Sequence, residues 1–286
     1  MMSQMELFGL DQPSLPTLRE RRTMRVLITV TAAPNPSAAH GETVCVAGLE
    51  LGDSGPVGWV RLYPLNLRHL RGRGHGFRKY DIVELVASPA RHDGRTESWS
   101  PEIGSIRVVG HLNSWDARRQ WLEPLATDSM CGLHREAKTQ LAKARSLGLA
   151  PAAEVFGLDI APHPGWSADE QAKIDAYVNQ LELFSEDDKV PLRAPRVTVS
   201  YRWRCSAADC QGTHRQRLLD WEVVAFERHF PDARRDVLGG IIERKFLGEV
   251  CAPERQVSFF VGNQAKRPQT FSILGIYWPR RSVKRR

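Results

Sequence analysis

The chain has 286 residues, 42% hydrophobic and 26% charged, an ordinary balance for a folded protein with room for one large domain or two modest ones. Forty lysines and arginines against 33 acidic residues give a net charge of +7 and a pI near 9.4, which favours polyanionic partners. Five cysteines without the spacing of a disulfide framework argue against a secreted scaffold and for a reducing cytoplasm, and no apolar run reaches the roughly 20 residues that would span a membrane.

Residues 1–22 read as a tail, with Pro13, Pro16 and the charged run from Arg19 to Arg22. Its start is acidic and proline-bearing, unlike a signal peptide. Residues 23–113 then carry five short runs rich in Val, Ile, Leu and aromatics: MRVLITVTA, ETVCVAGLEL, GWVRLYPL, YDIVELVA and IGSIRVVGHL. Turn-forming residues bound most of them, so a small β-barrel of the OB, SH3-like or PUA-like kind is expected. Cys45, within TVCVAG, reads as a core thiol. Between the third and fourth runs, LYPLNLRHLRGRGHGFRKY places Arg68, Arg71, Arg73, Arg78 and Lys79 in one glycine-rich loop. This loop is a candidate phosphate contact, with Phe77 and Tyr80 available to stack on bases.

Residues 114–190 form a helical region and linker. SWDARRQWLEPL and LHREAKTQLAKARSLGL read as helices, the second stopping near Gly148 with Pro151 beyond it. Cys131 and His134, in CGLH, offer only two ligands and read as a helix start. Ser167 and Glu170 have the spacing of a capping box for ADEQAKIDAYVNQLELF.

Residues 191–286 form a C-terminal α+β module whose most informative stretch is YRWRCSAADCQGTHRQRLLDWE. Cys205, Cys210 and His214 follow a C-x4-C-x3-H spacing suited to structural Zn²⁺. The fourth ligand is open among Cys251, His229 and Asp220. Arg202, Arg204, Arg215 and Arg217 flank the cluster, interleaved with Tyr201 and Trp203, a composition suited to nucleic acid. Lys266 and Arg267, in a turn between the last two strand-like runs, add a further basic feature, as does the PRRSVKRR terminus. Asp220 and Glu222, read on a strand, share a face and with His214 form a candidate catalytic cation site for phosphodiester hydrolysis.

Two pentapeptides, QMELF at residues 4–8 and QLELF at residues 180–184, resemble the motif by which many bacterial replication and repair proteins dock on the sliding clamp. That resemblance implies Gln4, Leu7 and Phe8 as anchors in the tail, and clamp recruitment as their role. The sequence therefore reads as α+β: an N-terminal β-barrel, a helical middle and a zinc-bearing C-terminal module. Its expected function is binding of DNA or RNA in bacterial DNA maintenance or defence. The competing readings are a metal-dependent nuclease using Asp220 and Glu222, and a non-enzymatic protein–protein adaptor.

Overall fold

The computed structural model describes residues 20–53, 55–71, 76–91, 93–140, 143–179 and 190–281. The expected tail anchors Gln4, Leu7 and Phe8, the second pentapeptide and the last five residues lie outside these ranges. The chain is mixed α+β, with few helices.

Its N-terminal part is built from β1 (Arg22–Thr31), β2 (Asn35–Ser37), β3 (Gly41–Gly52), β4 (Gly55–Leu65), β5 (Asp81–Pro89), β6 (Ser98–Pro101) and β7 (Arg107–His111). Strands β1, β3, β4, β6 and β5 pair in that order and β5 returns to β1, closing a five-stranded barrel with β2 and β7 appended. Only β4–β6 is parallel. The near-continuous apolar run of β1 follows from this placement, because both of its faces are covered. Met24, Val26 and Ile28 fill the barrel with Val44, Val46, Leu62, Val83 and Leu85. Leu27 and Val30 point the other way, into a second cluster with Leu49, Leu147, Leu149, Phe260, Leu274 and Tyr277.

That second cluster joins the barrel to a half-barrel sheet. Its strands are β8 (Leu147–Pro162), β9 (Val197–Cys205), β10 (His214–Arg217), β11 (Ser258–Gln264) and β12 (Arg267–Tyr277), in the order β10-β9-β8-β11-β12. Fully burying each large apolar side chain at the seam contributes roughly 1.5–3 kcal/mol, which makes the junction a true core.

The helices are α1 (Leu67–Arg71), α2 (Trp115–Leu122), α3 (Met130–Gln140), α4 (Ala168–Val178), α5 (Trp221–Glu227) and α6 (Arg235–Glu243). Helix α4 starts with the expected capping box, in which Ser167 Oγ accepts from the Glu170 amide and the Glu170 carboxylate accepts from the Ser167 amide. The helix expected to run to Gly148 instead ends at Gln140. Gly148 lies inside β8, where an added Cβ would come within 2.7 Å of Asp128 Oδ2. It is a close-approach glycine and no helix stop. The expected strand through Asp220 and Glu222 is also corrected: Asp220 is the N-cap of α5, its carboxylate accepting from the Glu222 amide at 2.9 Å.

Candidate metal centre

Strand β9 alternates buried Tyr201, Trp203 and Cys205 with exposed Arg202 and Arg204, as a half-buried strand should. Cys205 is its last residue, Cys210 lies in the turn that follows, and His214 opens β10 directly opposite Trp203. The hairpin therefore turns all three expected ligands to one side. The fourth group is Cys131, from the first turn of α3, 74 residues before Cys205.

Donor atoms of Cys131, Cys205, Cys210 and His214 all lie within 4.8 Å of one another. Cys131 Sγ is 3.7 Å from Cys205 Sγ and 3.7 Å from His214 Nε2, and Cys210 Sγ is 3.4 Å from His214 Nε2. A tetrahedral zinc with Zn–S near 2.3 Å and Zn–N near 2.0–2.1 Å places sulfurs about 3.8 Å apart and sulfur and nitrogen about 3.5 Å apart. The donor set fits such an ion, and the thiol separation is far from the roughly 2.05 Å of a disulfide.

The surroundings hold the set in place. Ser129 Oγ accepts from the Gly132 amide at the start of α3, and Arg135 pairs with Asp209 of the ligand turn at 2.6 Å. Beneath the cluster, the Trp203 indole donates to Gln216 Oε1, while Gln216 Nε2 donates to the Phe271 carbonyl and contacts Met130 Sδ. Burial, followed by hydrogen bonds with Cys210 and Cys205, pushes the Cys131 thiol up to about 12. Burial also lowers His214, with His134 adding repulsion, so its imidazole is held neutral. A neutral imidazole and deprotonated thiols are the forms that ligate a metal.

The other proposed fourth ligands sit elsewhere. Cys251 Sγ lies 3.4 Å from the Phe246 carbonyl and 4.0 Å from the Tyr201 hydroxyl, and His229 is exposed in the turn after α5. Asp220 is buried against Lys79. Cys131 was missed in the sequence, where CGLH reads as a helix start, and its C-x2-H spacing with His134 was the one signal that could have marked it. His134 itself stays outside the donor set, its ring 6.1 Å from that of His214.

The flanking arginines form an outer face. Arg202 and Arg215 are cross-strand neighbours and both bind Asp159, at 2.9 and 2.6 Å, while Arg204 reaches Glu154 at 3.4 Å. Arg217 is exposed two residues beyond Arg215 on the same face. Tyr201 and Trp203 do not interleave with them at the surface, because both are fully buried in the core.

The glycine-rich loop differs from its expected form. Arg68 and Arg71 lie on α1, and Arg73 falls outside the described residues. Arg78 is exposed, but Phe77 and Tyr80 are buried and are not free to stack on bases. Lys79 turns inward to Glu222 at 3.4 Å, Asp220 at 3.8 Å and the Ile276 carbonyl at 3.2 Å, so it ties the barrel to the C-terminal sheet and is not a free phosphate contact. Tyr80 has φ of 72°, a strained conformation for a non-glycine residue. Arg118 stacks on its ring at 4.0 Å. Burial and then the neighbouring Glu222 push Asp220 up to about 7, despite Lys79. The two carboxylates do converge, but on an ammonium. His214 is not with them, since it faces the thiols.

Lys266 and Arg267 are exposed at the β11–β12 turn, and Cys45 is half-buried instead of lying in the core. No helix among the described residues is long and apolar enough to cross a membrane.

Residues 126–286 match the family described as Domain of unknown function (DUF8757), and residues 22–124 match the one described as Domain of unknown function (DUF8758). No curated protein matches the chain. The first match begins just before α3 and so takes in all four donors of the cysteine–histidine cluster.

Proposed function

The chain belongs to the DUF8757 family, whose match covers more than half of it, and we propose that it binds nucleic acid through a hairpin stapled by zinc. The observation that carries this reading is the convergence of Cys131, Cys205, Cys210 and His214 beneath a surface of Arg202, Arg204, Arg215 and Arg217. Three thiolates and one imidazole are a soft set that suits zinc better than magnesium or calcium. Four protein ligands leave no open coordination position, so the ion would hold structure and would not activate water. It would fix the β9–β10 turn to α3, giving the arginines a rigid base from which to meet phosphates.

Binding measured by fluorescence anisotropy against single- and double-stranded DNA and RNA, across a salt series, tests this reading. Replacing Arg202, Arg204, Arg215 and Arg217 with alanine should weaken binding to all sequences and flatten the dependence of log affinity on log salt. Equal affinity and slope in the wild type and the variant would remove the hairpin from the interface. Recruitment to a sliding clamp through Gln4, Leu7 and Phe8 is the second part of the proposal, resting on the pentapeptide alone. Leu7→Ala/Phe8→Ala should abolish clamp binding and leave nucleic-acid affinity unchanged, whereas unchanged clamp binding would exclude the tail. The nuclease reading is disfavoured by Lys79, whose ammonium sits where a divalent ion between Asp220 and Glu222 would have to lie.

A further inference from the structure

Arg61, on β4, is 4% exposed, and its guanidinium meets only neutral acceptors. Nη1 donates to Cys45 Sγ at 3.1 Å, and Nη2 donates to the carbonyl and hydroxyl of Ser146, each at 3.2 Å. Nε has no acceptor, and among the described residues no carboxylate forms an ion pair with Arg61. The Glu97 carboxylate is linked to the guanidinium through Ser146, whose amide and hydroxyl donate to its two oxygens at 2.7 and 3.2 Å. A buried guanidinium lacking an anion is costly, because its lost hydration is only partly replaced by dipoles. Lys79, a largely covered cation beside the barrel, has two carboxylates. Arg61 has none.

Its position suggests where the missing charge comes from. Arg61 lines two cavities of ≈880 and ≈700 Å³ in the cleft between the barrel and the C-terminal sheet, and Cys45, Asn263 and Gln264 border both. Arg215, Arg217 and His163 stand in the wall of the first with Glu170, and Arg91 and Arg95 in that of the second, where Arg95 is paired with Asp93 at 2.5 Å. Each cavity also has an aromatic surface, Trp166 and Phe271 in one and Tyr63 in the other. A buried guanidinium flanked by further cations, aromatic rings and side-chain amides matches a ligand combining anionic oxygens with a flat, hydrogen-bonding ring.

We propose that this cleft binds a nucleotide, with its phosphate group seated on Arg61. The phosphate belongs either to a free nucleotide or to one residue of a strand threading both cavities. The site shares Arg215 and Arg217 with the hairpin surface, whereas Arg61, Arg202 and Arg204 belong to one site each.

The test uses the full-length protein with pyrophosphate, AMP and a short single-stranded oligonucleotide as probes. Affinities are measured by calorimetry for the wild type, Arg61→Gln and Arg61→Lys. Cys45 alkylation is followed in parallel by peptide mass spectrometry, which needs no variant and therefore survives a failure of Arg61→Gln to fold. The proposal expects at least one probe to protect Cys45. It also expects Arg61→Gln to weaken that probe at least tenfold, with Arg61→Lys intermediate. Protection by AMP at low concentration identifies a free nucleotide as the ligand, and protection by the oligonucleotide alone identifies a strand. If no probe slows Cys45 alkylation and affinities do not depend on Arg61, the proposal is wrong. Nucleic-acid binding that persists in Arg61→Gln but is lost in the hairpin variant would overturn the cleft site while leaving the hairpin reading intact.

Discussion

Residues 205–214 and residues 220–222 are sequence neighbours, yet they build two clusters that solve the burial of polar groups in opposite ways. In the first, three thiols and an imidazole crowd within 4.8 Å of one another with no side-chain cation among them. In the second, two carboxylates share the ammonium of Lys79. The contrast shows what decides whether a cluster calls for a metal. Hard carboxylates near a buried lysine are partly compensated by the fold itself, whereas soft donors that converge from a hairpin and a distant helix gain positive charge only from an ion. The lysine does not fully compensate its site, because two negative charges face one positive charge. The more deeply buried acid, Asp220, is therefore the one driven to hold a proton at up to about 7.

Removing metal should separate the two clusters most strongly. Chelation at neutral pH, or Cys131→Ser, should lower Tm on the order of 10 °C, because structural zinc contributes several kcal/mol and each shifts Tm by a few degrees in a chain of this size. Cys251→Ser should leave the metal content unchanged. Calorimetric scans with and without chelator check this, and an unshifted Tm would mean that the staple carries no stability.

Lys79→Met should have the next effect, destabilising by about 3–5 kcal/mol at pH 8, because it leaves two carboxylates against a buried seam without their cation. The loss should shrink at pH 5, where Asp220 takes up a proton. Denaturant titrations at both pH values decide the matter, and a pH-independent loss would point to packing instead of charge.

Asp220→Asn isolates the titration itself. The native carboxyl is raised from 3.8 to about 7, so between these values the folded state binds more protons than the unfolded one. Stability from this group is therefore greatest below pH 4 and is lost as pH climbs towards 7. Asparagine keeps the N-cap of α5 but does not titrate, so the variant should show a flatter profile over this window. Parallel slopes in urea titrations from pH 4.5 to 8 would contradict the assignment.

These predictions rest on contacts that were unequally visible in the sequence. The barrel strands were legible where Val, Ile and Leu run between turn residues, as in MRVLITVT, because their burial is a local pattern. Strand β6 is only four residues long, and β8 reads LGLAPAAEVFGLDIAP, poor in the residues that favour strands, so its identity comes from pairing with β9 and β11. Three of the four donors shared one spacing, but Cys131 lies on another element, and no spacing rule reaches across 74 residues. Asp220 and Glu222 were correctly brought together for the wrong reason. A strand period and a helix N-terminus both put them near each other, and only the fold supplies Lys79.

The smallest effect is expected at the outer face of the hairpin. Asp159→Asn removes the shared partner of Arg202 and Arg215, yet exposed ion pairs contribute little, so stability should change by less than about 1 kcal/mol. Nucleic-acid affinity should rise slightly as the two arginines are released, and a fall in affinity would mean that Asp159 orients them productively.

Native mass spectrometry of the full-length protein, paired with elemental analysis, tests the zinc staple most directly. One zinc per chain is expected in the wild type and in Cys251→Ser, with occupancy lost in Cys131→Ser and Cys205→Ser. A folded wild type that carries no metal after purification without chelator, or a Cys131→Ser protein that keeps a full equivalent, would contradict it.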